Sequence, residues 1–283
     1  MLRQRLIVAA IGLPLLGVLL AVPEPAFAAV VELVLAVATF ELVRSAQPHE
    51  TASRELAGNP ASQPASETDD LVIPIAAAAA TALLVAALRV EPDFFPSPWA
   101  LMPLTAIALA LLIRGPNPFS DTLLGWWLGA VLYLGVLGAH FVLLREIPDG
   151  QRWLIVLLAT VFSTDTGAYA VGRMIGRHKM APRVSPHKTW EGAAGGYVFG
   201  AAAAVIATLA LDLDAPVAAI ILLAAGGPVV AEIGDLVESA LKRRLGVKDV
   251  SHLLPGHGGF LDRLDSLLFV GPWLYWILQW VPS

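Results

Sequence analysis

The chain has 283 residues, of which 57% are hydrophobic and only 14% charged, and its mean hydropathy is +0.71. Because soluble domains carry roughly a quarter of charged residues, this composition excludes an ordinary soluble domain and favours an integral membrane protein. The sequence contains no cysteine, which excludes disulfides, thiolate metal ligands and cysteine nucleophiles. The net charge of −5 is less informative, because the placement of Lys and Arg matters more than their sum in a membrane protein.

Apolar stretches of about 17 to 25 residues predict an all-α, polytopic integral membrane helical bundle of about nine transmembrane helices. The predicted spans are 6–22, 26–43, 71–90, 99–114, 122–144, 153–172, 191–211, 216–238 and 266–281. The first follows Arg3 and Arg5 and precedes Ala26-Phe27-Ala28, a pattern that resembles a signal peptide. Its apolar run is longer than a usual signal core and further spans follow directly, so we predict an uncleaved first helix.

One segment is too polar for a membrane span. Residues 45–70 are rich in Ala, Ser, Pro, Glu and Thr and predict a flexible polar linker. We divide the chain into N-terminal transmembrane helices, 1–150, and a C-terminal transmembrane catalytic region, 151–283. The second region contains two charged loops, 172–191 and 239–265.

The distribution of Lys and Arg predicts the orientation. With nine helices, 15 of the 18 basic residues fall on the side of the N-terminus, and only Arg89, Arg145 and Arg152 fall on the other. By the positive-inside rule the N-terminus and both charged loops are then cytoplasmic and the C-terminus is outside. We therefore predict a multi-pass protein of the cell inner (plasma) membrane with a site that faces the cytoplasm.

Three carboxylates predict a metal site. Asp262 and Asp265 are three residues apart on a predicted helix and share a face, while Asp235 lies near the end of the eighth helix. A carboxylate at membrane depth costs about 2.5–3.5 kcal/mol, so it persists mainly where it pairs or binds a cation. Oxygen ligands without Cys suit Mg²⁺. The alternative is an ion-paired trio, for instance Asp262 with Arg263 or Lys242.

Basic residues and glycines surround these carboxylates and suit a triphosphate, which needs cations and directional donors. The cations and hydroxyls are Arg173, Lys188, Thr189, Lys242, Arg243, Lys248 and Arg263. Gly256, Gly258 and Gly259 expose backbone N–H groups that can cradle an anion. We interpret His257 as a phosphate contact, with general acid–base catalysis as the alternative. Lys179 and Arg244 are explained by topology and anionic lipid head groups alone.

Other polar or small residues lie within predicted helices. Asp165 interrupts an apolar run and is expected to line the same cavity, and Glu32 and Glu41 lie in or near the second helix. Three glycines spaced by four predict close helix packing, either within the chain or at a dimer face. They are Gly192, Gly196 and Gly200.

The motif Ser239-Ala-Leu-Lys242-Arg243-x₄-Lys248-Asp249-x-Ser251-x₃-Pro255-Gly256-His257-Gly258-Gly259-x₂-Asp262-Arg263-x-Asp265 resembles the signature of phosphatidate cytidylyltransferases, the CDP-diacylglycerol synthases. Upstream, Asp165-x₃-Tyr169-x₂-Gly172-Arg173 and Ser185-Pro186-x-Lys188-Thr189-x-Glu191-Gly192 are similar to a second block of that family. The resemblance covers roughly residues 160–270.

The resemblance implies a nucleotidyltransferase that transfers the cytidylyl group of CTP to phosphatidate, giving CDP-diacylglycerol and pyrophosphate in phospholipid biosynthesis. It implies Mg²⁺, held by Asp235, Asp262 and Asp265, and suggests a monovalent cation such as K⁺ beside it. The expected partners are CTP, phosphatidate and the bilayer, with no nucleic acid. The residues predicted to be catalytic are Asp235, Lys242, Asp249, Asp262 and Asp265. Those predicted to bind substrate are Arg173, Ser185, Lys188, Thr189, Ser239, Arg243, Lys248, His257, Gly258, Gly259 and Arg263.

Two rival functions stay open at this point. A CTP-dependent polyprenol kinase would share the helices and basic loops but would transfer the γ-phosphoryl group to an alcohol. An ion-coupled transporter would use the intramembrane carboxylates, but the sequence shows no internal repeat and the Gly-His-Gly-Gly turn would have no role.

Overall fold

The structure, a computed structural model, describes residues 12, 14–56, 69–90, 98–251, 253 and 258–281. In chain order the elements are α1 (Glu24–Leu56), α2 (Asp69–Val90), α3 (Pro98–Ile113), α4 (Leu123–Ala130), a π-helical segment (Val131–Val136), α5 (Leu137–Glu146), α6 (Gly150–Ile175), β1 (Lys179–Ala181), β2 (Ser185–Thr189), α7 (Trp190–Ala210), α8 (Val217–Arg244) and α9 (Leu261–Trp280). Residues 14–21 are helical as well.

The chain is a helical membrane protein. Within the described residues, 6 helices are long and apolar enough to cross a bilayer: Glu24–Gln47, Leu71–Arg89, Leu123–Glu146, Gly150–Ile175, Trp190–Ala210 and Val217–Arg244. Ala100–Ile113 is apolar but shorter. In the predicted first span, 6–22, residues 6–11 and 13 lie outside the described residues, so the number of nine helices stays a prediction.

Several predicted loops are shorter than expected because the charged segments are helical. α8 continues to Arg244 and α9 begins at Leu261, so both ends of the loop predicted at 239–265 belong to helices. α1 likewise continues to Leu56, well into the segment predicted as a linker, whose residues 57–68 lie outside the described part. Lys, Arg, Glu, Leu and Ala all favour helix, and a helix does not have to end where its apolar run ends.

The loop predicted at 172–191 contains a small β-hairpin that the sequence did not indicate. β1 and β2 pair antiparallel, with Lys179 opposite Thr189 and Ala181 opposite Ser185. The strands are short, basic and interrupted by Pro186, so they lack the apolar alternation by which a strand is recognised. The fold is therefore all-α except for this one hairpin in the described chain.

The chain divides into two compact units. The first comprises Met1–Ala139 and Leu241–Arg263, and the second comprises His140–Ala240 and Leu264–Ser283. In the first unit α1 and α2 pack side by side. The Thr39 hydroxyl donates to Leu35 O at 2.8 Å and shares a second hydrogen bond of 3.0 Å with the Thr81 hydroxyl, within a core of fully buried leucines. Such paired hydroxyls satisfy polar groups that would otherwise face hydrocarbon.

In the second unit α6 packs closely against α7 through glycines. A Cβ atom on Gly192 would lie 2.9 Å from the Ala168 carbonyl oxygen, and one on Gly196 would lie 2.9 Å from that of Thr164. At Gly200 a Cβ would lie only 2.0 Å from Thr164 Oγ1. The predicted glycine stripe therefore packs within the chain, and a dimer face is not needed to explain it.

We expect Gly200→Ala to destabilise the protein by about 1–3 kcal/mol, because the added methyl group overpacks the contact with the buried Thr164 hydroxyl. The measurement is the thermal unfolding midpoint in detergent. Gly17→Ala is the matched control: nothing lies within 4 Å of a Cβ there, so its midpoint should be unchanged or slightly higher. Equal midpoints for the two variants would contradict the packing argument.

Candidate active site

The β-hairpin is anchored at the start of α7. Thr189 is the N-cap of this helix, and its Oγ1 accepts a hydrogen bond from Gly192 N at 3.1 Å. The Glu191 carboxylate accepts from Arg177 N at 3.1 Å and from His178 N at 3.2 Å. Both ends of the hairpin are thereby tied to the first turn of α7, which fixes the direction of the side chains on β2.

A cavity of about 540 Å³ lies within the second unit. Its polar lining residues are Asp165, Tyr169, Arg173, Lys179, Ser185, His187, Lys188, Thr189, Glu232, Asp235 and Asp265. Six of the residues predicted to serve the site are among them, and they come from α6, β2, α8 and α9. Asp165, expected to line the cavity, does so as well. The cavity thus combines the upstream block with Asp235 and with Asp265, the last residue of the signature motif.

Lys188 is the central cation of this cavity. Its Nζ lies 2.6 Å from Glu232 Oε2 and 2.8 Å from Asp235 Oδ2, and its side chain is only 17% exposed. Burial by itself lowers the pKa of Lys188, but the charges of Asp235 and Glu232 and the hydrogen bonds to both outweigh burial and raise the pKa above its ordinary value. Lys188 is therefore a permanently charged bridge between β2 and α8.

Three carboxylates of the second unit could hold a metal ion. Asp235, Glu238 and Asp265 each offer one oxygen, and these oxygens lie within 4.8 Å of one another. A donor set made only of carboxylate oxygens fits Mg²⁺, which keeps several waters and binds through a few carboxylates together with substrate phosphates. Asp235 also accepts a hydrogen bond from the Ser239 hydroxyl at 3.2 Å, which fixes its rotamer.

Gly234 allows these carboxylates to approach. A Cβ atom at this position would lie 2.7 Å from the Asp265 carbonyl oxygen and 3.1 Å from Ser266 Cα. The absence of a side chain lets α8 and α9 touch backbone to backbone next to Asp235. The metal cluster therefore depends on a glycine that carries no chemistry of its own.

Asp262 belongs to a different network, in the first unit. One of its oxygens lies 2.7 Å from Lys242 Nζ, and the other accepts a hydrogen bond from Gly259 N at 2.7 Å. The side chain is 3% exposed. The structure thus shows the ion pair with Lys242 that the sequence left open as an alternative, and Asp262 is not a member of the metal cluster. Its predicted metal role stays a prediction.

The remaining predicted residues contribute less to either network. Arg243, Lys248, Asp249 and Arg263 are exposed. Gly258 has a φ of 81°, and a Cβ atom there would lie 2.6 Å from Asp262 Oδ2, so the turn needs glycine. His257 lies outside the described residues. Arg244, assigned to topology, instead pairs with Asp121 at 2.7 Å.

Two residues of the site, Glu232 and Glu238, were not predicted. The signal was present, because they lie three residues before and three residues after Asp235 and thus share its helical face. Both lie in the last turns of the predicted span 216–238, where a carboxylate is also expected simply because the apolar run ends there.

The fold and the cavity define a class of protein: a polytopic membrane protein with a cation-lined and carboxylate-lined pocket beside its helices. The sequence matches the family described as the cytidylyltransferase family over residues 3–281. The chain therefore belongs to the cytidylyltransferase family.

Individual relatives are similar to parts of the chain. It is 40% identical over 173 residues to a phosphatidate cytidylyltransferase of Bacillus subtilis, which covers 61% of this chain and 64% of that protein. It is 37% identical over 175 residues to one of Staphylococcus haemolyticus, covering 62% and 66%. A protein of the same name from Brucella suis is 43% identical over 160 residues, covering 53% and 56%. The chain thus aligns with 56% to 66% of the length of these relatives, which is less than two thirds in each case.

We expect Lys188→Met to lower the unfolding midpoint in the presence of EDTA by an amount that does not shrink between pH 7 and pH 9. A raised pKa means that the stabilisation from Lys188 is fully present below its ordinary pKa of about 10.4 and is lost only as the pH rises through the still higher folded value. The measurement is the difference in midpoint from the parent protein at each pH. A difference that falls toward zero by pH 9 would show that Lys188 titrates earlier than the structure indicates.

Proposed function

We propose that the protein transfers the cytidylyl group of CTP to phosphatidate, giving CDP-diacylglycerol and pyrophosphate. The observation that carries this proposal is the cavity of the second unit, which is lined by the cations Arg173 and Lys188 and by Asp235 and Asp265, two of the three carboxylates that could hold a metal ion. Membership of the cytidylyltransferase family and the names of its relatives support the substrates. The cavity supports the proposal as well, because its cations can neutralise the negative charge of the substrate phosphates.

The reaction needs positioning rather than a protein nucleophile. An oxygen of the phosphatidate phosphate forms the new bond to the α-phosphorus of CTP, and the bond between that phosphorus and the bridging oxygen of the β-phosphate breaks. The electron pair leaves with pyrophosphate. Such a displacement requires that the enzyme neutralise charge and align the two substrates. Because the lipid phosphate is itself the nucleophile, the reaction does not require a cysteine, and the chain has none.

The charged groups of the cavity and of the metal cluster, which share Asp235 and Asp265, then have separate roles in the reaction. A Mg²⁺ ion would be held by Asp235, Glu238 and Asp265, where it supplies neutralising charge to the phosphates of CTP. The planar Arg173 guanidinium, which donates to Tyr169 OH at 2.9 Å, would bind a phosphate of CTP through its remaining N–H groups. Lys188 holds Asp235 in place and adds a permanent positive charge. A monovalent cation such as K⁺ is kept in the proposal only on the family resemblance.

The proposed arrangement in the membrane has nine transmembrane helices, a cytoplasmic N-terminus and a C-terminus outside. The asymmetry of the basic residues supports it, because 15 of the 18 fall on one side. In the inner membrane of a cell this places the cavity toward the cytoplasm, where CTP is present, while phosphatidate enters laterally from the bilayer.

The orientation can be tested with single cysteines, since the chain has none of its own. In right-side-out membrane vesicles we expect Asp214→Cys, in the turn between α7 and α8, to react with a membrane-impermeant maleimide. Arg183→Cys, in the hairpin, should react only after the vesicles are permeabilised. The reverse pattern would overturn the proposed orientation without touching the proposed chemistry.

The activity is tested with purified protein, phosphatidate, Mg²⁺ and CTP that is labelled either at the α-phosphorus or at the γ-phosphorus. Cytidylyl transfer carries the α-label into the lipid extract and releases the γ-label as pyrophosphate. A CTP-dependent lipid kinase gives the opposite distribution, with CDP as the product, and that result would refute the proposal.

In the same assay Asp265→Asn and Glu238→Gln should lower the rate by about a thousandfold or more, as the removal of a ligand from a catalytic metal site commonly does. Asp214→Asn, the same chemical change in an exposed turn, should keep the parent rate. All variants should insert into membranes to a similar extent. Full activity of Glu238→Gln would remove Glu238 from the metal site and return attention to Asp262.

A further inference from the structure

A second buried carboxylate lies outside the cavity, in the first unit. Glu41 is on α1 and is only 5% exposed, although it lies within an apolar span. A buried carboxylate without hydrogen-bond donors is strongly unfavourable, so its partners reveal why it is there. Among the described residues, its hydrogen-bond donors are Ser251, Phe260 and Leu261, which belong to the signature motif or directly adjoin it.

The Glu41 carboxylate holds this segment of the motif at two points. Ser251 donates its hydroxyl hydrogen to Oε1. Oε2 accepts from Phe260 N at 2.9 Å and from Leu261 N at 3.3 Å. One side chain of α1 therefore binds two points of the chain that are nine residues apart, Ser251 and Phe260.

Gly259 shows how closely the segment is held. A Cβ atom there would lie 2.7 Å from Glu41 Oε2 and 2.9 Å from Ser251 Oγ, so a larger residue would have to displace one of these two side chains. The Gly259 N–H is not available for an anion, because it donates to Asp262 Oδ2 at 2.7 Å. This second glycine of the Gly-Gly pair therefore serves the two carboxylates rather than a phosphate.

These contacts also cap α9. Leu261 is the first residue of α9, and the N–H groups at a helix start lack partners within the helix. Glu41 supplies an acceptor from another helix, and its negative charge is favourable at the positive end of the helix dipole. Asp262 fixes the same turn from within, because it accepts from Gly259 N and pairs with Lys242. The angular position of the first turn of α9 is thus set by two carboxylates.

We propose that Glu41 is a positioning residue for cytidylyl transfer, acting through the start of α9. The inference rests on the proposed function, since Asp265 of the metal cluster follows Asp262 by three residues on this same helix. A shift or a loosened first turn of α9 moves the Asp265 carboxylate, and a metal site tolerates little displacement of a ligand. Glu41 touches neither substrate nor metal.

The test compares three variants of the full-length protein. In Glu41→Gln the amide oxygen can accept from Phe260 N and Leu261 N, while the amide NH₂ donates to Ser251 Oγ, because a serine hydroxyl is also an acceptor. Glu41→Leu removes every acceptor at nearly the same volume. Glu32→Leu is the matched control, being the same substitution at a half-buried position nine residues earlier on α1.

Two quantities are measured: the Mg²⁺ concentration that gives half the maximal rate, and the Mg²⁺ concentration that gives half the maximal rise of the unfolding midpoint without CTP. We expect Glu41→Leu to raise both by about tenfold, the lower end of the loss in metal affinity that follows removal of a group orienting a metal ligand. Glu41→Gln and Glu32→Leu should stay close to the parent. Rescue by glutamine would show that acceptor geometry is what Glu41 contributes.

A merely structural role gives a different result. Poor folding of Glu41→Leu lowers the active fraction and thus the maximal rate, but it leaves both half-saturating concentrations unchanged, and that outcome would overturn the proposal. Should the leucine variant fail to accumulate, Glu41→Asp, which withdraws the carboxylate by one methylene, takes its place with the same expected shift. If the parent protein makes no CDP-diacylglycerol, the proposed function fails, while the midpoint titration still decides the role of Glu41.

Discussion

Carboxylates in a chain this apolar need positive charges or hydrogen-bond donors, and this requirement shapes the rest of the structure. Glu232 and Asp235 are bridged by Lys188 at 2.6 and 2.8 Å. Asp262 is held by Lys242 and by Gly259 N. In a medium of low polarity each such group must be satisfied nearly completely, because the same low polarity that strengthens a contact also penalises a missing one. The cluster of Asp235, Glu238 and Asp265 fits this rule when a cation neutralises it.

The charged side chains can meet only where the backbones of neighbouring elements approach closely, and glycine allows that approach. Gly234 lets α8 meet α9 beside Asp235, and Gly259 lets the signature segment meet Glu41. Gly192, Gly196 and Gly200 bring α7 onto α6, so that the hairpin attached to α7 delivers Lys188 to α8. Helices in a membrane gain little from burying apolar groups against one another, so short distances and polar contacts contribute more of their association. The glycines thus determine where the charged side chains can meet.

The sequence predicts the helical membrane class well because hydropathy and span length are properties of contiguous residues. Its helix ends are less accurate where charged segments continue a helix, as at Arg244 and Leu261. Six of the predicted site residues line one cavity. They could be predicted because charged and hydroxyl side chains are easily recognised in an otherwise apolar sequence. Glu232 and Glu238 were not predicted, because a carboxylate in the last turns of a predicted span can be explained by the end of the span alone. The hydrogen bonds that Glu41 accepts from Ser251, Phe260 and Leu261 could not be predicted, because these partners lie more than two hundred residues away and no local pattern relates them to Glu41.

Asp262 and Asp265 show why helical spacing alone does not assign a shared role. Two carboxylates three residues apart share a helical face, which favours a common ligand set. Asp262, however, lies in the first turn of α9, where free N–H groups compete for its oxygens, and Gly259 N takes one of them. Lys242 takes the other. Asp265 is one turn further on, beyond the range of those donors in the preceding segment, and its oxygen lies with those of Asp235 and Glu238. A difference of one helical turn thus separates a carboxylate bound to Gly259 N and Lys242 from one whose oxygen lies with those of Asp235 and Glu238.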